Sequence, residues 1–223
     1  MSVLRVRDRM KRKIALFLHH PRCSIQCGNG IIEALSDEYT FKIFTKHKVE
    51  KDFFDDVDIV AFPGGEGDSE SWHQLFNNNG TKIYDFLNNG GKYLGICMGA
   101  YWAGSHYFNI LEDVDAVQYI IRPNADTKRP HAKAMPITWK GEAHKMFFFD
   151  GCALAGDETK FETIARYSNG DPMAIIQKNI GIIGCHPEST PIWYTYHSWM
   201  KDHYHGGVQH KLLLDFVNEL MEK

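Results

Sequence analysis

The residues best able to do chemistry fall in two short segments. In Gly95-Ile96-Cys97-Met98-Gly99 a single cysteine stands between spaced glycines, after the apolar pair Tyr93-Leu94 and before a helical pattern. That is the spacing of a nucleophile elbow, a strand-to-helix turn too tight for side chains at the flanking positions, with the nucleophile at its tip. An attacking thiol needs a base. Gly184-Cys185-His186-Pro187-Glu188 supplies an imidazole at the end of another apolar run, Gly181-Ile182-Ile183. A carboxylate two residues on can hold the second ring nitrogen in the tautomer that takes the thiol proton. The expected roles are Cys97 as nucleophile, His186 as proton shuttle and Glu188 as orienting group, for attack on an amide or related acyl carbon. A third segment, Pro63-Gly64-Gly65, follows the apolar run at 59–62. Its side-chain-free backbone lets N–H groups approach a ligand, and Gly65 with Met98 is the expected oxyanion hole. Each segment alone has a plainer explanation: a buried cysteine at a strand end, a surface turn, a simple loop. Their combination carries the weight.

The elements that must position these groups are legible as patterns. Residues 14–18, 41–44, 59–62 and 93–96 read as buried strands, with helical spacing at Ile31, Ile32 and Leu35 between the first two. Trp72, Leu75 and Phe76, then Ile83, Phe86 and Leu87, repeat the i, i+3, i+4 spacing, and Asn88-Asn89-Gly90-Gly91 supplies a helix stop. Strand and helix alternating in this way predict a parallel sheet covered on both faces, which would put the Gly65 loop and the elbow at the same carboxyl edge. The second half differs. Short strand-like runs at 116–121, 146–149, 161–167, 173–177 and 180–183 predict an antiparallel extension, and Leu213, Phe216, Val217 and Leu220 mark a packed final helix. Residues 1–13, with six basic side chains, read as a solvated tail before a single domain at 14–223.

The three segments, with their surroundings, resemble the class I glutamine amidotransferase-like superfamily. They are most similar to the domain at the N-terminus of some biotin-protein ligases. The matching stretches are Phe62-Pro63-Gly64-Gly65-Glu66-Gly67-Asp68, the elbow from Gly90 to Tyr101, and Gly184-Cys185-His186-Pro187-Glu188; a weaker one is Phe148-Phe149-Asp150-Gly151-Cys152. The resemblance spans roughly residues 14–190 and implies an α/β, flavodoxin-like three-layer sandwich with a mostly parallel sheet. It also implies the Cys97–His186–Glu188 triad, with Gly64, Tyr101, Trp102 and Asp150 around the substrate pocket. Glutaminase members usually carry His-Gln after the elbow glycine, where Ala100-Tyr101-Trp102 stands here. The pocket is thereby altered. No Gly-Arg-Gly-Arg-type biotinoyl-adenylate motif is present and no ligase domain follows the triad, so biotin ligase activity is not implied. Two functions follow: a cysteine hydrolase or amidotransferase-like enzyme, or a non-catalytic binding or regulatory domain of the same fold with a protein partner.

Composition narrows the rest. Lys+Arg 25 against Asp+Glu 28 leaves a net charge of -3, without the basic excess of a nucleic-acid binder. No apolar run approaches the roughly 18–20 residues of a membrane span, and a cytoplasmic protein is expected. Five scattered cysteines do not form a disulfide framework. His19, His20, Cys23 and Cys27, and the group His197, His203, His205 and His210, match no zinc spacing, so neither a metal nor a cofactor is expected. The aromatic group Trp193, Tyr194, Tyr196 and Trp199, with Trp102, either packs the core or walls the pocket of a small-molecule substrate.

Overall fold

The computed structural model describes residues 11–19, 23–47, 49–65 and 80–223. The basic tail up to Met10, His20, the Glu66-Gly67-Asp68 stretch and the helical pattern at Trp72, Leu75 and Phe76 lie outside the described residues. Eleven strands are described: β1 (Arg12–Phe17), β2 (Tyr39–Phe44), β3 (Ile59–Phe62), β4 (Lys92–Ile96), β5 (Val114–Gln118), β6 (Lys133–Trp139), β7 (Glu142–Phe148), β8 (Cys152–Gly156), β9 (Glu162–Tyr167), β10 (Pro172–Gln177) and β11 (Ile180–Ile183). The α-helices are α1 (Ile25–Leu35), α2 (Gly80–Asn88), α3 (Met98–Trp102), α4 (Pro191–Thr195) and α5 (Val208–Leu220).

Nine strands form one sheet in the order β2-β1-β3-β4-β11-β10-β9-β6-β7. The half from β2 to β11 is parallel, and the half from β10 to β7 is antiparallel. β3 and β11 are apolar throughout because both of their faces are buried, whereas the edge strand β2 exposes Thr40 and Ile43. Along β1, Ile14 and Leu16 enter one core while Ala15 and Phe17 enter the other. The first core is closed by Ile31 and Leu35 of α1 and by Leu213, Phe216, Val217 and Leu220 of α5. The second is closed by Ile83 and Leu87 of α2 and by Met98, Ala100 and Trp102 of α3. This is the three-layer α/β arrangement expected, with a mixed sheet that is parallel at one end and continues as an antiparallel extension as long as the parallel part.

Several elements depart from the expectation: β1 begins at Arg12, inside the stretch read as tail, β8 falls outside the expected runs, and two further departures have a physical reason. The strand at 133–139 escapes the pattern because Pro136 interrupts it, and a proline cannot donate to a ladder. Here Pro136 faces only Lys145 of β7, since β6 meets β9 only from Ile137 to Trp139. The run at 116–121 divides: β5 ends at Gln118, and Tyr119–Ile121 forms a 3-10 turn. The turn lays the Tyr119 ring flat on Tyr167, 3.7 Å between centroids. β5 pairs with β8 as a separate ribbon.

One buried hydrogen bond ties β4 to the start of α3: the Tyr93 hydroxyl donates to the Gly99 carbonyl at 2.6 Å. Tyr93→Phe keeps the ring and strands that carbonyl, so unfolding free energy should fall by about 1–3 kcal/mol. Urea denaturation followed by circular dichroism measures this, with the midpoint falling and the slope unchanged.

Candidate active site

Cys97 links β4 to α3 with φ 51° and ψ -102°, outside the regions an L-residue ordinarily occupies. Such strain costs on the order of 1–3 kcal/mol and persists only where the surroundings enforce it. They do so here. The Cys97 N–H donates to the Ile183 carbonyl of β11 at 2.9 Å, and the Gly99 N–H donates to the Pro63 carbonyl at 3.2 Å. A Cβ on Gly99 would lie 2.0 Å from the Phe62 carbonyl oxygen, and one on Gly95 would lie 2.4 Å from that of Gly99. The elbow glycines are therefore dictated by backbone packing.

β11 brings His186 to the same edge. Beyond its last residue, the His186 N–H donates to the Phe147 carbonyl at 2.9 Å, anchoring the imidazole between the rings of Phe147 and Trp193. The ring Nδ1 lies 2.9 Å from Glu188 Oε1. Glu188 is fully buried, and its Oε2 has no hydrogen-bond partner among the described residues. Burial works to lower the imidazole pKa. The negative charges of Cys97 and Glu188 outweigh it and raise the value well above the usual one. The site thus favours a protonated ring at His186.

These groups open on a cavity of about 540 Å³ that includes Cys97, Met98, Gly65, Tyr101, Asp150 and His186 in its lining. Asp150 is held by the Gln118 side-chain amide at 3.0 and 2.9 Å, while Tyr101 donates to the Asp150 carbonyl at 3.3 Å. Burial raises the Asp150 carboxyl pKa, partly offset by Gln118. Gly64 sits behind this lining, against the His186 ring edge and Cys27 Sγ. Trp102 does not wall the cavity. It is fully buried in the second core, edge-on to Phe17 and Phe62, because α3 turns that side chain away from the sheet edge. Trp193 and Tyr196 do line the cavity, whereas the Trp199 indole donates to the Ala132 carbonyl.

Sequence reading missed Ser24, Gln26 and Phe147, whereas Cys27 belongs to the cluster after the first strand whose position there points to the rim of the site, and it does line the cavity. Its Sγ lies 4.0 Å from His186 Nδ1. The same position was the available signal for Ser24 and Gln26. His205 and His210 have a different task, each donating from Nε2 to the Ser189 carbonyl, at 2.9 and 3.0 Å. They fasten the loop that follows Glu188. All five cysteines are free.

Residues 20–117 match the family described as "Biotin-protein ligase, N terminal". The matched stretch includes the Gly65 loop and the Cys97 elbow and stops before His186. Among solved structures, a glutamine amidotransferase from Thermotoga maritima aligns at TM-score 0.67 and 10% identity, covering 95% of this chain and 99% of that one. The structure of PurLQS from Thermotoga maritima aligns at TM-score 0.61 and 15% identity, covering 95% of this chain and 100% of that one. No curated protein matches the chain. At these identities the structural likeness shows the fold alone. The resemblance read from the motifs therefore holds at two levels, the family model and the glutamine amidotransferase fold.

The imidazole offers a direct check. Replacing Cys97 by Ser removes the first of the two charges that oppose burial, so the His186 pKa should fall. Imidazole NMR titration of wild type and Cys97→Ser measures the shift; an unchanged value would mean that Cys97 does not act on the ring. Because the folded pKa is raised, His186 contributes stability below its unfolded value of about 6.5, and that contribution is lost as pH rises through the folded value.

Proposed function

We propose that this chain is a cysteine-nucleophile hydrolase or amidotransferase-like enzyme acting on an amide or related acyl group. The observation that carries the proposal is the pairing of a strained, cavity-facing Cys97 with a buried His186 whose Nδ1 is held 2.9 Å from Glu188. In the proposed reaction Cys97 Sγ attacks the acyl carbon, and the carbonyl π electrons move to oxygen. The N–H groups of Gly65 and Met98 receive that oxyanion. Protonated His186 then gives its proton to the leaving amine as the C–N bond breaks, leaving a thioester. His186 next takes a proton from water, or from a second amine, as that nucleophile displaces the thiol.

The cavity favours a small substrate with an apolar body. Phe147, Phe149 and Trp193 supply the walls, and among the described lining residues Asp150 is the one carboxylate, with no lysine or arginine. Tyr101 and Ala100 stand where glutaminases carry His-Gln, which supports an acyl group other than that of glutamine. The second reading is a non-catalytic binding or regulatory domain with a protein partner. It is supported by a family match that covers the elbow without the base. Among the described residues no helix is long and apolar enough to cross a membrane, which fits the proposed cytoplasmic location.

Intact-mass detection of acyl-electrophile adducts, with a glutamine-mimicking reagent among them, separates the two readings. The enzyme reading requires rapid labelling at Cys97 that is lost in His186→Ala; labelling no faster than at Cys152 supports the binding domain. Glu188→Gln keeps the side-chain volume and should leave circular dichroism unchanged while slowing Cys97 labelling by about 10–10³-fold. This is less than the roughly 10⁴ of a serine triad, because a thiol leans less on its base. An unchanged pH profile in the folded variant would remove Glu188 from the machinery.

A further inference from the structure

We propose that Cys27, His186 and Glu188 form a binding site for a zinc-like divalent cation, and that the bound cation switches off chemistry at Cys97. The site rests on geometry alone; only the switching role rests on the reading of Cys97 as nucleophile.

Three ligand atoms from two distant parts of the chain converge: Cys27 Sγ, His186 Nδ1 and a Glu188 carboxylate oxygen all lie within 4.8 Å of one another. The Nδ1–Oε1 separation is 2.9 Å and the Sγ–Nδ1 separation 4.0 Å. Zinc bonds of about 2.0–2.3 Å in a tetrahedron put ligand atoms about 3.4–3.6 Å apart. The two observed separations straddle that range, so small side-chain rotations bring the atoms to bonding distance. Thiolate, imidazole and carboxylate together are a zinc set, and their two negative charges balance a divalent ion.

A second observation points to the same ligand. Glu188 is fully buried, yet its Oε2 is unpartnered among the described residues. A buried carboxylate oxygen in that state is costly, and a cation would satisfy it. Cys27 is likewise a buried free thiol that the proposed acyl chemistry does not use. Cys27 and His186 both line the cavity, which gives the ion an entry path and leaves a fourth position for water.

The chemical consequence follows from the ring. With Nδ1 turned to Glu188 and Cys27, Nε2 is the nitrogen left for Cys97. A metal on Nδ1 displaces the hydrogen bond to Glu188 and confines the remaining ring proton to Nε2. The imidazole then has no lone pair with which to take a proton, and the Nδ1 proton of His186 and the thiol proton of Cys27 both leave to solvent on binding.

Cobalt(II) added to the full-length, metal-free protein is the probe, since cobalt–thiolate bonds give a strong near-ultraviolet charge-transfer band. The expected result is one equivalent of cobalt giving the band, displacement by zinc, loss in Cys27→Ser and retention in Cys97→Ser. No band in wild type, or a band kept in Cys27→Ser and lost in Cys97→Ser, overturns the site. Zinc-edge X-ray absorption of the wild-type protein needs no variant: one sulfur at about 2.3 Å with nitrogen and oxygen neighbours is expected, and a shell without sulfur overturns it. Zinc should also slow iodoacetamide labelling of Cys97 at least tenfold, reversibly with chelator; undiminished labelling with zinc bound overturns the switch. Slow, His186-independent labelling of the metal-free protein would instead overturn the cysteine-enzyme reading, while the cobalt band still decides the site.

Discussion

The site depends on the parallel pairing of β4 with β11. Their register sets Ile96 opposite Ile183, so the residues that leave the two strands emerge side by side at one edge. Cys97 is the first of them on one side, and His186 follows shortly on the other. The pairing also supplies the Ile183 carbonyl that holds the Cys97 N–H in its strained turn. β3, paired to the other side of β4, presses its Phe62 carbonyl against Gly99 and completes the clamp. The strain at Cys97 is therefore maintained by the centre of the sheet, the part least able to relax.

The second constraint is charge in a dry place. His186 and Glu188 are both buried, and separated charges at such depth would be far too costly to keep. Paired, they offset each other, and the ring gains a second negative neighbour in Cys97. Removing any member leaves another charge uncompensated, so the group behaves as a unit. The Phe147 and Trp193 rings pack edge-on against the imidazole and lower the local polarity, which strengthens the attraction. Tying down the loop behind Glu188 through His205 and His210 keeps the carboxylate from swinging to solvent.

What the sequence disclosed follows from which interactions are local. The elbow and the His-Pro-Glu turn are contiguous motifs at strand ends, so both could be read from spacing. The inner parallel strands could be read because burial on both faces leaves apolar runs in them. β6 could not, since Pro136 is tolerated only where one neighbour is absent, a fact of topology. Trp102 lies on a five-residue helix, too short for periodicity to say which side faces the cavity. Cys27 meets His186 across most of the chain's length, through the packing of α1 against the sheet edge. No local pattern carries such a contact.

The weakest of the matched stretches, Phe148-Phe149-Asp150-Gly151-Cys152, gains meaning from the same edge. A Cβ on Gly151 would lie 2.1 Å from the Gly184 carbonyl oxygen, so only glycine lets this strand entry close against the exit of β11. The Gly151 carbonyl in turn accepts from the Tyr119 N–H at 3.2 Å, and Gln118, one residue earlier, grips the Asp150 carboxylate. Tyr101, on the first turn beyond the elbow, reaches across to the Asp150 carbonyl. The cavity wall opposite His186 is thus braced by the antiparallel ribbon on one side and by the elbow helix on the other. An aromatic residue at 101 is what spans that gap. The substitution that departs from the glutaminase pattern and the half-buried carboxylate of Asp150 are two parts of one wall of the cavity that Cys97 also lines.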